Sequence, residues 1–348
     1  MRMTHIMLSK GFGGAERSFV DTALAMSARG HEVQAVCHPA FKGKEKLEGI
    51  RGVRVAPVRV LGDWDRLAVR RIRAKLKAFR PSAVHTQLRR AAKLGGRAAA
   101  GAGVPVVAKL HNYADLSCYR DVDVLIGTTR HQVDYAREHD WPEDRLRLIP
   151  NFSRVPAVEE ARVREARTAR RLLSYGRYVP KKGFDLLLRA FAALVEEGRD
   201  LQLTLGGGGP EQDALSSLAR KLGVSDRVRL GVWIDDVSSA LDQADLFVLP
   251  SRDEPFGIVM LEAMARGIPI VTTKTRGPSE VLADDSAFFA SVDSADSLLE
   301  AMRTALENPG DAVRRAQCAL EWYRRRYCEE AVIPQIEALY RVVAVSES

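Results

Sequence analysis

Residues 246–273 read LFVLPSRDEPFGIVMLEAMARGIPIVTT. The run LFVL at 246–249 is apolar throughout and has the length of a strand, and IPIVTT at 268–273 is a second such run. Between them lie a polar turn and a segment that reads as a helix from about Phe256. Strands that lack polar alternation and are joined through a helix belong to a parallel sheet covered on both faces. Two carboxylates punctuate this unit with seven residues between them, Glu254 in the turn and Glu262 about a turn and a half into the helix IVMLEAMA. A charge inside an apolar helix is costly unless it is paired. One partner within reach is Arg266, four residues on, in a contact worth about 0.3–0.5 kcal/mol on an exposed helix. The other is a ligand hydroxyl, because a carboxylate accepts hydrogen bonds.

Outward from this unit the same period repeats. Residues 3–8 (MTHIML) read as a first strand, followed by the glycine loop SKGFGG, a helix to about Ala28 and a second strand at 32–37. Further strands are expected at 53–57, 83–86, 104–110, 124–127 and 146–149, with helices in the gaps. Residues 156–171 are charged and lack an apolar stripe, which marks a linker. The period then restarts with strands at 172–175, 201–205 and 228–232. The expected fold class is α/β, with two Rossmann-like doubly wound domains facing across a cleft. Their expected limits are 1–160 and 161–320, with a terminal helical segment over 321–348.

The chain has 348 residues, of which 46% are hydrophobic, enough for two cores. No apolar run approaches membrane-spanning length. The first residues, MRMTHIMLSKGFGG, lack a long apolar core and a small-residue cleavage site, so no signal peptide is expected. Cys37, Cys118, Cys318 and Cys328 form no CxxC pair, and reduced thiols in a cytoplasm are the expectation. A net charge of +8 favours an anionic partner.

In open parallel sheets, ligands bind beyond the carboxyl ends of the strands, and several unusual residues stand at such ends. Gly13 and Gly14 precede a helix, where backbone N–H groups can approach an anion; a tight turn explains them equally well. Arg177 and Lys182 bracket GRYVPKKG, and two cations on one loop suit a diphosphate, against the plainer reading of a solvated loop. Gly206–Gly209 lack the Lys-Ser/Thr of a P-loop and read as a flexible turn. His111 follows VPVVAKL, where it either caps the strand or meets a sugar. Carboxylates repel phosphate, so the consistent division gives the phosphates to Arg177, Lys182 and the N–H groups of Phe256, Gly257, Ile258 and Val259. Glu254 and Glu262 then take the sugars.

Other features carry less. His5, His31 and His85 read as structural. Asp121 and Asp123 open a strand at the end away from the expected cleft, and Asp63 and Asp65 sit in a loop; neither pair reads as a metal site. In 66–80 (RLAVRRIRAKLKAFR), Leu67, Ile72, Leu76 and Phe79 are spaced for one helical face. Arg89, Arg90, Lys93 and Arg97 follow. This basic region packs on its own sheet or lies on an anionic membrane. No aromatic residues interleave with the charges as nucleic-acid binding would require, so no nucleic acid is expected as a partner.

Taken together, these segments resemble the retaining GT-B glycosyltransferases, specifically glycosyltransferase family 4. Residues 250–273 resemble its E-x7-E segment and GFGGAER (11–17) its glycine loop. VPVVAKLHN (104–112) resembles the strand bearing its active-site histidine, and LIPNFS (148–153) its segment before the linker. GRYVPKKG (176–183) resembles its diphosphate loop, and LGGGGP (205–210), with Gly207, its GxGP turn. The chain departs from the family pattern at Phe152-Ser153, at Arg276–Glu280 and in the turn DDSAFF.

The resemblance implies a nucleotide-diphosphate sugar as donor, with a UDP-sugar first among the choices, and neither a separate cofactor nor a metal. Arg177 and Lys182 would hold the diphosphate, with Gly13 and Gly14 approaching from the other domain. Glu254 would meet the donor sugar, Glu262 the ribose, and His111 the reacting end. The implied reaction is transfer with retention to a glycan or lipid-linked acceptor in cell-envelope or lipopolysaccharide synthesis. The expected location is the cytoplasm, at the cytoplasmic face of the inner membrane, with peripheral contact to anionic lipid. A nucleotide-sugar epimerase and a non-catalytic glycan- or nucleotide-binding protein are the competing readings.

Overall fold

The structure is a computed structural model that describes residues 1–161 and 170–345. Of the linker expected at 156–171, residues 162–169 therefore lie outside the described residues. The chain forms two compact units, one of Met1–Phe152 with the segment from Glu329 on, the other of Ser153–Cys328.

The first unit carries β1 (Arg2–Met7), β2 (Glu32–Cys37), β3 (Val53–Pro57), β4 (Ala83–Gln87), β5 (Val106–Lys109), β6 (Val124–Gly127) and β7 (Leu146–Leu148). They pair in parallel in the order β3-β2-β1-β4-β5-β6-β7. Alternate residues of each strand feed two cores. Ile6, Val84, Ala108 and Leu125 join one with the helix Arg66–Phe79. Met3, Met7, Val107 and Ile126 join the other with the helices Gly14–Ala28 and Glu329–Val345. Both faces are covered, so these strands need not alternate with polar residues.

The second unit carries β8 (Arg170–Arg177), β9 (Leu201–Gly208), β10 (Val228–Val232), β11 (Leu246–Leu249), β12 (Ile270–Thr273) and β13 (Phe288–Ala290). Their order is β10-β9-β8-β11-β12-β13, again all parallel. Strand order reverses between β1 and β4 in one unit and between β8 and β11 in the other. At such a switch point the loops leaving the two central strands run apart and open a crevice. The loops after β8 and β11 are YVPKKG (178–183) and PSRDEPFG (250–257).

Four expectations are corrected. β13 was not foreseen, because Phe288–Ala290 is three residues long and shows no alternation to read. The glycine run expected to be a turn is strand as far as Gly208, paired Tyr175↔Gly206, Gly176↔Gly207 and Arg177↔Gly208. The terminal helical segment expected over 321–348 falls on two helices, Pro309–Arg326 in the second unit and Glu329–Val345 in the first. In the helix Arg66–Phe79 the buried stripe is Ala68, Val69, Ile72, Leu76 and Phe79. Leu67 is 56% exposed and is not part of it.

Candidate active site

In the second unit the two switch-point loops are tied together. The turn after β8 ends on Gly183 at φ +65°, where a β-carbon would stand 2.1 Å from the carbonyl oxygen of Pro250. Only glycine allows that approach without strain. The backbone N–H groups of Arg252 and Asp253 donate to the Lys181 carbonyl at 2.8 and 3.2 Å. The Arg252 guanidinium then forks onto Asp185, at 2.7 and 2.8 Å, and also donates to Asp293 (2.5 Å) and to the Pro180 carbonyl (3.0 Å). These bonds hold the Asp185 carboxyl below the usual carboxylate range, Arg252 being the main cause.

The result is an ion pair at the crevice. Lys182 Nζ lies 2.5 Å from Glu254 Oε2, and Ser251 Oγ lies 3.5 Å from the same oxygen. Glu254 is buried. Its carbonyl accepts from Gly277 N–H at 2.9 Å, which fixes the turn from below. Arg177 ends β8 exposed, opposite Gly208. Beside it a β-carbon at Gly207 (φ +107°) would stand 2.1 Å from the Gly176 carbonyl oxygen, so the strand ends here pack backbone on backbone. Gly207 is thus explained by strand packing.

The helix foreseen from about Phe256 runs Ile258–Ala265, with Gly257 at its N-cap. Phe256, Gly257 and Ile258 are buried and Val259 is half-buried. Every residue of this helix except Val259 is buried, including Glu262, which has no exposed surface. Glu262 does not pair with Arg266. That guanidinium forks onto Asp242 at 2.9 and 2.6 Å and donates to the Pro156 carbonyl. Glu262 Oε2 instead accepts from the Tyr175 hydroxyl at 2.5 Å. A carboxylate expected to meet either Arg266 or a ligand hydroxyl thus has a further partner inside the protein, contributed by strand β8.

In the first unit Gly13 and Gly14 are exposed at the start of the helix Gly14–Ala28. The Gly13 N–H, expected to face an anion, is taken by Glu16 Oε2 at 3.0 Å, and Ser9 donates to the other oxygen at 2.6 Å. This is a capping arrangement at the start of the helix. His111 is half-buried just beyond β5, its Nε2 3.0 Å from Gln87 Oε1. Burial, and then the neighbouring Lys109 ammonium, push its pKa down to about 3, so the ring is neutral. Lys109 is itself wholly buried and pushed down to about 8, its Nζ 3.4 Å from Asn151 Oδ1. His5 and His85 lie under the last helix, with the Tyr340 hydroxyl 2.5 Å from His85 Nδ1 and 3.3 Å from His5 Nε2.

Asp123 accepts from Val106 N–H at 2.7 Å, which fastens β6 to β5. Among the described residues no group of three or more His, Cys, Asp or Glu is arranged to hold a metal ion. Four contributors went unread in the sequence: Tyr175, Arg252, Asp185 and Gln87. Asp185 left one faint signal, a charge near the head of the apolar helix FDLLLRAFAALVE.

Comparison with known proteins accords with this construction. Residues 158–322 match the family of glycosyl transferases group 1, and residues 12–153 match Glycosyltransferase Family 4. The chain is 30% identical to the lipopolysaccharide core biosynthesis glycosyltransferase LpsE of Rhizobium meliloti (strain 1021), over 95% of this chain and 96% of that one. It is 31% identical to LpsD of the same organism, with the same coverage. Among solved structures, HepE of Anabaena in complex with UDP and glucose superposes with a TM-score of 0.82 over 97% of this chain and 99% of that one. At 20% identity that likeness shows the fold. The two parallel-sheet Rossmann-like units are of the GT-B class, and the chain belongs to glycosyltransferase family 4, the group 1 glycosyl transferases: it is a glycosyltransferase.

Proposed function

We propose that this glycosyltransferase moves a sugar from a nucleoside-diphosphate sugar, in the first instance a UDP-sugar, to a glycan or lipid-linked acceptor with retention of anomeric configuration. The observation that carries the reading is the Lys182–Glu254 pair at the β8/β11 switch point, with the buried Glu262 eight residues beyond Glu254 in the helix that follows. It sets a cation for phosphate beside carboxylates for hydroxyls. Arg177, Lys182 and the helix N-terminus at Gly257 meet the charge of the departing nucleoside diphosphate, without a metal or further cofactor. Glu254 holds hydroxyls of the transferred sugar, Glu262 those of the ribose, and Phe256, Gly257, Ile258 and Val259 contribute backbone groups. In the first unit, His111 is assigned to a sugar hydroxyl and the Gly14 turn to phosphate. The acceptor oxygen bonds to the anomeric carbon as the bond to the diphosphate oxygen breaks on the same face, and the acceptor's proton passes to that oxygen.

The relatives LpsE and LpsD are named for lipopolysaccharide core synthesis, and HepE was solved with UDP and glucose. The names of LpsE and LpsD support a role in lipopolysaccharide-type synthesis, and the ligands of HepE support a UDP-sugar donor; the cytoplasmic face of the inner membrane is the location this reading assigns. No helix among the described residues is long and apolar enough to cross a membrane. Peripheral contact has a candidate surface in the loop ahead of the basic helix. There Leu61 and Trp64 are 82% and 74% exposed, and the exposed Arg66, Arg70 and Arg71 follow. Lys93 sits over the Trp64 ring, 3.3 Å from its centroid. Exposed apolar tips ringed by cations fit an anionic lipid surface.

The test is incubation with labelled UDP-sugars and a bacterial lipid extract, with the product's anomeric configuration read by NMR. Acceptor-dependent label transfer with release of UDP and a retained anomer is the expected result. Donor isomerised without acceptor, or an inverted product, overturns the reading.

A further inference from the structure

Gln87 closes β4 and is wholly buried. Its side-chain oxygen lies 3.0 Å from His111 Nε2, and its side-chain nitrogen has no hydrogen-bond partner. A buried amide with half its hydrogen-bonding capacity unused is costly, so its one bond has a reason to be where it is. A carboxamide oxygen only accepts, so the His111 Nε2 must carry the hydrogen. In a neutral imidazole the other nitrogen is then an acceptor. Among the described residues Nδ1 has no partner.

We propose that Gln87 is a positioning residue: it holds His111 as the neutral Nε2–H tautomer, so that Nδ1 presents a lone pair to a hydroxyl of the sugar substrate. The inference rests on the reading of His111 as a group that meets the sugar. The chain supplies the register that makes this work. β4 and β5 pair with Gln87 opposite Lys109, two residues before His111, so the amide faces the strand end from which the imidazole extends. The oxygen of Gln87 is fixed by a strand, and the ring it orients stands two residues past the end of the paired strand β5.

The experiment uses full-length protein labelled with 15N-histidine. The His111 resonances are assigned by their loss in His111→Gln, and long-range 1H–15N correlation at neutral pH reads the tautomer. The expected wild-type result is Nε2–H with an unprotonated Nδ1. An Nδ1–H tautomer, which an amide turned the other way would impose, overturns the proposal without any variant being made. In Gln87→Met, the tautomer preference should weaken and kcat should fall roughly tenfold, the worth of one lost orienting hydrogen bond, with KM for the donor nearly unchanged. Wild-type kcat in Gln87→Met overturns the positioning role. The Nε2–H tautomer together with full transfer by His111→Gln would remove the role of His111 itself, and the proposal with it, while transfer by the wild type still stood.

Discussion

Lys182 and Glu254 lie on different loops, 72 residues apart in sequence, yet Nζ and Oε2 are 2.5 Å apart. Each is the other's compensation, because the Glu254 carboxylate is buried. Lys182→Ala therefore removes the cation assigned to phosphate and strands a buried anion. We expect UDP affinity by titration calorimetry to fall roughly tenfold or more, in line with about 1.5–3 kcal/mol for a charge-assisted hydrogen bond, together with a lower melting temperature. Glu254→Gln should leave UDP affinity within a few-fold and lower kcat, since the carboxylate is assigned to the sugar and not to the nucleotide. Unchanged UDP binding by folded Lys182→Ala would count against the assignment.

Tyr175→Phe deletes the hydroxyl that donates to Glu262 at 2.5 Å and that also lies 3.4 Å from the Val259 carbonyl oxygen. Glu262 has no exposed surface, so the loss should cost about 1–3 kcal/mol in denaturant unfolding. It should also weaken nucleotide binding, because the carboxylate loses a donor that orients it. Glu262→Ala should weaken nucleotide binding more strongly. Equal nucleotide affinity across wild type and both variants would detach this pair from the nucleotide.

Arg252 touches no proposed ligand group, but it fastens the Glu254 loop to the Lys182 loop through Asp185, Asp293 and the Pro180 carbonyl. In Arg252→Ala the two loops should separate, and kcat/KM for the donor should fall about tenfold to a hundredfold, as displacements of this kind do. Asp185→Asn should give a smaller effect in the same direction. Steady-state kinetics with the donor varied would show it, and wild-type kcat/KM in Arg252→Ala would remove the clamp from the account.

Glu337, on the helix Glu329–Val345, accepts from Arg29 at 2.8 and 3.0 Å and lies 2.8 Å from His31 Nε2. Arg29 chiefly holds its pKa down, from 4.5 to about 2. A carboxylate depressed on folding stabilises fully above its unfolded pKa and progressively less as pH falls through the folded one. Hydrogen exchange in this helix should therefore be flat above pH 4.5, after correction for intrinsic rates, and should lose protection between about pH 4.5 and 2. Glu337→Gln should remove that pH step and lower protection at neutral pH.

Sedimentation with liposomes tests the loop at Leu61 and Trp64. Binding to vesicles containing phosphatidylglycerol should exceed binding to neutral vesicles and weaken as salt rises. The double variant Leu61→Ser, Trp64→Ser should reduce it severalfold, since these two are more exposed than the neighbouring Leu67, while leaving transfer to a soluble acceptor intact. Equal sedimentation of variant and wild type would move the contact elsewhere.

The strand ends were readable because each β-strand covered on both faces is a continuous apolar run bounded by Gly, Pro or charge. β11 and β12 are of this kind. β13 was missed because three residues cannot display a period. Gly206–Gly208 misled because glycine in a strand looks like a turn until the neighbouring strand is seen to need the space of a side chain. Leu67 misled for a different reason: several apolar sets on one helix fit a face, and only packing against β4 and its neighbours selected the stripe with Val69.

The sequence by itself determined the α/β period, its restart after the linker, the place of Arg177, Lys182 and Glu254 at or beyond strand ends, and that of Glu262 inside a helix, because those follow from local patterns of apolar runs and turn residues. It determined too that a carboxylate stood where an apolar helix should have none. Only the tertiary structure decided whom these residues meet. Lys182 finds Glu254 across 72 positions, Glu262 finds Tyr175 across 87, and His111 finds Gln87 across 24. Such pairings are set by which strands lie side by side and in what register. Each apolar strand could pair with several others, and that choice is made by the packing of the whole sheet.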